Sequence, residues 1–264
     1  MRSIAAVVAI LLFGSFASFA GVINDPFNQS QAGCYYSLTT PFGTCDVIGN
    51  ELLFDIQSAS VSLSPTLLDT NLYFNYGGGS SLAPFSTPVL YPGDLFFYDP
   101  ANPLTTTYDS QLSYPEYEYG VPLVNHNGLL AGDLYQISNP NGLQTAQEVI
   151  DPSNLYQSLD YRRTQPVWMP GGETLVDTGI ETVSNYGNGT SNALYDVDIK
   201  IPNPTAGLLA LISAGQIGIG FESATCANDV LVGLVAVPEP GSLLMVAAGM
   251  GLLGLGVWRR RNLR

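Results

Sequence analysis

Apolar and polar residues alternate over short stretches through most of this chain, with no long run at helical spacing. Glu51 to Ser64 alternates through Phe54, Ile56, Val61 and Leu63. A period of two puts every second side chain on one face of a strand, so this stretch predicts a half-buried β-strand. Asn71 to Tyr76 predicts a short aromatic strand, stopped by Gly77-Gly78-Gly79. Asp94–Tyr98, Glu116–Val124, Gly132–Ile137, Glu173–Ser184, Ala193–Ile201, Gln216–Ser223 and Asp229–Val237 carry the same signal. Between them lie turn formers: Pro92-Gly93, Asn102-Pro103, Asn127-Gly128, Asn139-Pro140-Asn141-Gly142, Pro170-Gly171-Gly172 and Asn188-Gly189. Two short helices are expected, at Thr145–Tyr156 and at Pro204–Ser213. The second has proline near its start and Gly215 just past its end. Many short strands with few helices predict an all-β domain, an antiparallel β-sandwich of jelly-roll type.

The two ends of the chain break this pattern. Residues 1–20 have a basic start at Arg2, an apolar run from Ile4 to Phe13, and Ala17-Ser18-Phe19-Ala20 ending small-x-small. That order predicts a secretory leader cleaved after Ala20, since the apolar run is short for a membrane helix. At the other end, Pro238-Glu239-Pro240 is a rigid, extended tripeptide, because each proline fixes φ and disfavours helix before it. Gly241 to Trp258 follows without a charge, and 18 residues of helix span about 27 Å, just enough to cross a bilayer core. Trp258 stands where an interfacial aromatic belongs. Arg259, Arg260, Arg261 and Arg264 form a cluster that stops transfer and stays cytoplasmic.

This arrangement over residues 237–264 resembles the PEP-CTERM sorting signal of bacterial exosortase substrates. The resemblance implies that an exosortase-type enzyme in the membrane recognises Pro238-Glu239-Pro240 and cleaves there. The protein would be held meanwhile by its C-terminal helix and then released to the cell surface or extracellular matrix. An ordinary tail anchor would share the apolar span and the arginines but not the Pro-Glu-Pro. Tyr119–Tyr135 and Gly220-Phe221 with Cys226-Ala227-Asn228-Asp229 are similar to ectodomains that precede such tails, which adds to the sandwich expectation. Many such proteins have a loose spacer before the motif. Here an apolar strand runs straight into it, so the expectation is that this strand ends at the domain's rim. The expected division is a leader at 1–20, a single ectodomain at 21–237 and the sorting signal at 238–264.

Charge is segregated in the same way. Of eight basic residues, five lie in the terminal segments, which leaves Arg162, Arg163 and Lys200 in the 217-residue ectodomain. Against them stand 21 acidic residues, a net of −18. Such a surface repels nucleic acid and argues against that class of partner. The three cysteines fit an oxidising compartment. Cys34 and Cys45 flank a turn and can close a 12-residue loop, a link that would contribute about 2–3 kcal/mol. The alternative joins Cys226 to one of them. Three cysteines and one histidine do not suit a structural zinc site.

Candidate chemistry is sparse. His126, the sole histidine, sits in Asn125-His126-Asn127-Gly128 and reads as a turn residue or a satisfied polar contact; any catalytic dyad would have to use it. Glu116 with Glu118, and Asp196 with Asp198, put like charges on one strand face. They read as a solvated surface or, alternatively, as acids of a glycosidase. Asp94, Asp99, Asp109 and Asp133 lie in or beside loops, where calcium is the natural ion, but none forms a calcium-loop pattern. No cofactor is expected. The aromatic run Tyr91, Phe96, Phe97, Tyr98, Tyr108, Tyr114, Tyr117 and Tyr119 reads as core packing or as a sugar-stacking face, with Tyr98, Tyr114, Tyr117 and Tyr119 as the candidate contacts. The expected function is a non-enzymatic surface or matrix protein associated with exopolysaccharide. The alternative is a secreted glycoside hydrolase or lyase.

Overall fold

A computed structural model describes residues 20–24, 56–64, 66–74, 91–101, 106–109, 112–114, 116–149, 165–185, 195–212, 215–222, 224 and 230–236. The strands in chain order are β1 (Ala20–Asn24), β2 (Ile56–Ser64), β3 (Leu67–Phe74), β4 (Leu95–Tyr98), β5 (Thr106–Asp109), β6 (Leu112–Tyr114), β7 (Tyr119–Val121) and β8 (Leu134–Gln136). They continue as β9 (Gln144–Thr145), β10 (Pro166–Trp168), β11 (Thr174–Asp177), β12 (Ile180–Asn185), β13 (Tyr195–Pro202), β14 (Gln216–Glu222) and β15 (Val230–Ala236). Two short helices complete the described structure, α1 (Ala146–Val149) and α2 (Ala206–Ala210). A 3-10 turn at Pro140–Gly142 falls on the Asn-Pro-Asn-Gly signal.

The strands form two large antiparallel sheets. One has five strands in the order β1-β2-β3-β13-β12; the other has six, β11-β8-β7-β4-β14-β15. Two small pairs, β9 with β10 and β5 with β6, lie outside them. The apolar core gathers the inward residues of both sheets. Val61, Leu72, Phe74, Val197 and Ile199 come from the first; Leu95, Phe97, Val121, Leu134, Ile217, Ile219 and Phe221 come from the second. All are buried, which is the layering that period-two patterning demands of two stacked sheets.

In β2 the inward set is Ile56, Ala59, Val61 and Leu63. The parity change falls at a register shift between Ile56 and Ser58, so an irregularity keeps both halves facing the core. β3 begins at Leu67, earlier than the aromatic signal at residue 71 suggests. Ser64 Oγ accepts from Leu67 N at 3.0 Å and closes the turn that joins β2 to β3. The expected strand Glu173–Ser184 is two strands. β11 edges the six-stranded sheet and β12 edges the five-stranded one, with Thr178-Gly179 crossing between. A side chain on Gly179 would overlap the Gly132 carbonyl oxygen, so the crossing is tight. Thr205 accepts from Leu208 N to cap α2, within the span where a helix is expected.

The six-stranded sheet is also covered on its other face around β4 and β8. Phe96, Tyr98, Tyr117, Leu129, Tyr135, Ile137, Leu143 and Met169 form a second cluster there. Tyr117 stacks on Phe96 with centroids 4.5 Å apart. Beneath these rings β14 carries Gly218 and Gly220. A Cβ on Gly220 would overlap Tyr117 Oη and sit 2.8 Å from its Cζ. Tyr117 is 1% exposed and has nowhere to retreat. Gly220→Ala should therefore cost about 1–3 kcal/mol of stability, measured by urea unfolding. Adding Tyr117→Phe should recover only part, since the ring carbons remain too close. A neutral Gly220→Ala would show that the ring moves aside freely.

Candidate functional site

The sorting tail leaves the domain from β15, and its neighbour there is β1. A Cβ on Gly21 would overlap Val235 Cγ1 and the Ala236 carbonyl oxygen, and would sit 2.9 Å from Ala236 N. Two residues on, Ile23 packs over Gly233. The two strands therefore run antiparallel, with the start of β1 against the end of β15. β15 is zipped along its full length to β14, from Glu222 opposite Val230 to Gln216 opposite Ala236. It carries no charged residue. Leu231 and Val235 face the core while Val232 and Leu234 are exposed.

Residues 236–261 match the family model for the PEP-CTERM protein-sorting motif. The chain carries a PEP-CTERM sorting motif. That motif implies export to the cell surface and recognition by an exosortase-type enzyme, as the Pro-Glu-Pro, apolar span and arginine cluster led us to expect. The match begins at the last residue of β15, so the motif follows the domain without a spacer. No curated protein and no solved structure matches the chain. Pro238, Glu239, Pro240, Trp258, Arg259, Arg260 and Arg261 lie outside the described residues, as do Cys34, Cys45 and Cys226. So do residues 1–19 of the leader. Among the described residues no helix is long and apolar enough to cross a membrane.

Of the two readings of the tyrosine run, core packing holds for Tyr98, Tyr117 and Tyr119. Tyr98, Tyr117 and Tyr119 are 6%, 1% and 6% exposed, too little for a ring to meet a sugar. Tyr98 and Tyr117 belong to the second cluster, where Tyr98 Oη donates to the Gly233 carbonyl at 3.4 Å. Tyr119 faces the main core and meets Thr205 at the α2 cap. Burial raises the phenol pKa of both Tyr98 and Tyr119. Their spacing fitted both readings, and glycines at 218 and 220 are the signal that decides for packing. The side chain of Tyr114 lies outside the described residues.

His126 opens a tight turn. Asn127 and Gly128 both have positive φ, at 50° and 82°, the conformation that favours Asn-Gly in a two-residue hairpin loop. The polar contact is Asp94. His126 Nε2 faces Asp94 Oδ1 at 2.8 Å, and Asp94 Oδ2 accepts from Met169 N at 2.7 Å. The imidazole stacks flat on Trp168, 4.4 Å between centroids and 6° between planes, and Trp168 Nε1 donates to the Pro92 carbonyl at 3.1 Å. Asp94 is fully buried, and desolvation raises its pKa against the pull of His126. Among the described residues no hydroxyl or thiol is bonded to His126. The Asp94–His126 pair holds the hairpin at residues 126–129 to β4 and β10. Nothing in the local sequence marks Asp94 and Trp168 as partners of a histidine.

The remaining acids are distributed over separate sites. Asp99 Oδ1 accepts from Ala101 N at 2.8 Å and Asp133 Oδ1 from Gly179 N at 3.2 Å, so each serves a loop. The side chain of Asp109 lies outside the described residues. Among the described residues no three His, Cys, Asp or Glu side chains converge as a metal site. Glu116 is exposed and Glu118 partly buried. Asp198 and Asp69 flank Lys200, with Asp198 in direct hydrogen bond and Asp69 at 3.9 Å. Burial, then the neighbouring Asp198 charge, raises the Asp69 pKa. The outward row across this sheet runs Val22, Ser60, Asn71, Asp198 and Thr182, polar but for Val22 on the β1 edge.

Proposed function

We propose that this is a non-enzymatic surface or matrix protein, exported by its leader and held briefly by its C-terminal helix. An exosortase-type enzyme then processes it into an exopolysaccharide-associated layer. The observation that carries the reading is the sorting motif at residues 236–261, set directly against the last strand of a two-sheet β-domain. The ectodomain is the cargo, a β-sandwich with an acidic, hydroxyl-rich exterior that supports an adhesive or structural role in a hydrated polymer. The polar outward positions of β2, β3, β13 and β12 take the contact role that the buried tyrosines do not fill. Truncation before Pro238 should leave export intact and send the protein into the medium, read by immunoblot of cell and medium fractions. A truncated chain still fixed to the cell would end the reading. Incubating the purified protein with the host polysaccharide should retain it without releasing sugar. Released sugar would turn the reading to a carbohydrate-active enzyme.

A further inference from the structure

Trp168 is half-buried on β10, and its ring is fixed from two sides. The imidazole of His126 covers one face, and Nε1 donates to the Pro92 carbonyl at 3.1 Å. With its one polar atom bonded, what the indole presents to solvent is carbon. Tyr91, also half-buried, lies against it with centroids 6.1 Å apart and planes tilted by 58°. Two aromatic rings thus meet at the surface, apart from the buried tyrosine cluster. Two amides sit with them. Gln144 is directly opposite Trp168 across the β9–β10 pair, which brings their side chains to one face. Asn127 follows His126 in the turn. Its Nδ2 donates to Gln144 Oε1 at 2.5 Å and to the Met169 carbonyl at 3.0 Å. Both hydrogens of that nitrogen are used, so the amide is held in one orientation. This leaves Asn127 Oδ1 as an acceptor and Gln144 Nε2 as a donor, neither with a protein partner among the described residues.

We infer that this corner binds a neutral polysaccharide. The flat C–H face of a sugar ring lies on Trp168 and Tyr91, and its neighbouring hydroxyls bond Asn127 Oδ1 and Gln144 Nε2. The inference rests on the matrix reading above and gives it a contact apart from the five-stranded sheet. A hydroxyl both donates and accepts, so adjacent hydroxyls on one ring match an acceptor and a donor set side by side. Aromatic walls with a few fixed polar groups are the ordinary make-up of a small-molecule site. The indole is locked by the His126 stack and the two amides by each other, so little freedom is lost on binding. Charge selects among polymers. No lysine or arginine stands among these residues, and the ectodomain carries a net of −18. A polyanionic glycan is repelled by that field, and an uncharged one is not.

The test uses the full chain with Trp258→Phe, extracted in a sugar-free detergent, so that Trp168 is the sole tryptophan. Cellohexaose and mannohexaose are the neutral probes, and a polyuronate hexasaccharide is the charged one. At least one neutral probe should shift Trp168 emission in a saturable way, while the polyuronate leaves it unchanged. Gln144→Ala, and Asn127→Gly, which keeps the positive φ of the turn, should each weaken that probe about five- to tenfold, the scale of one or two neutral hydrogen bonds. Near-ultraviolet circular dichroism checks that the His126–Trp168 stack survives in both variants. No emission change with either neutral probe, equal binding of the polyuronate, or unchanged affinity in both variants would overturn the site. Retention of the protein on host polysaccharide without any change in Trp168 emission would end this inference and leave the matrix reading standing. Loss of retention as well would remove both.

Discussion

Asp94→Ala should lower the unfolding free energy by about 3–5 kcal/mol, the scale for removing one partner of a buried pair. Both Asp94 carboxylate oxygens are used, one by His126 Nε2 and one by Met169 N. Truncation leaves two buried donors without acceptors and opens a space under the imidazole. The damage reaches further than one contact, because His126 stacks on Trp168 and the pair joins β4, β10 and the residue 126–129 turn. Asp94→Asn should cost less, since its carbonyl oxygen still serves one donor. In a version truncated before Pro238, Trp168 is the sole tryptophan, so its emission during urea unfolding reads the latch directly. A loss below about 1 kcal/mol, the scale of one ordinary hydrogen bond, would show that the pair contributes no more than that.

The second large effect is on pH dependence. Glu181 lies on β12 opposite Ile199, on the core-facing side of the edge. Its Oε1 is buried and has no hydrogen-bond partner among the described residues. Burial pushes its pKa up to about 8 from 4.5. The folded state therefore favours the protonated form. That contribution is fully present below pH 4.5 and is lost as pH rises through about 8. Burial raises Asp94 and Asp69 as well, so they push stability in the same direction. Wild-type protein should melt at a lower temperature at pH 8.5 than at pH 5. Glu181→Gln should remove about 2–4 kcal/mol of that difference, reduced from the full linkage value because the residue is partly exposed. Parallel melting curves for the two proteins across that range would show that the carboxyl is solvated in the folded state.

Both effects lie in places that periodicity cannot reach. The alternation in β13 and β14 was legible because each has one strict inward set, such as Ile217, Ile219 and Phe221. β1 was hidden by its overlap with the leader junction, and the opening of β3 by polar Asp69 and Thr70, although Thr70 is buried in the core. The break between β11 and β12 rests on one glycine meeting the backbone of the turn at Gly132, a long-range fact with no local trace. The tyrosines show the same limit. Spacing placed Tyr98 and Tyr117 near one another but could not say that β14 would offer bare glycines for their rings to cover. The sorting tail was the most legible part of all. Its three segments follow from proline geometry, bilayer thickness and arginine placement, none of which depends on the fold.

The seam between β14 and β15 has a mechanical consequence. A pull applied at Ala236 along β15 loads that strand lengthwise. The hydrogen bonds of an antiparallel pair run across that axis, so the seven matched pairs from Gln216–Ala236 to Glu222–Val230 share the load side by side. A pull across the strands at this same open end would part the seam one rung at a time. Pulled lengthwise, the seam has to shear as a unit, so the strand that leads into the sorting motif is held most firmly against force along its own axis.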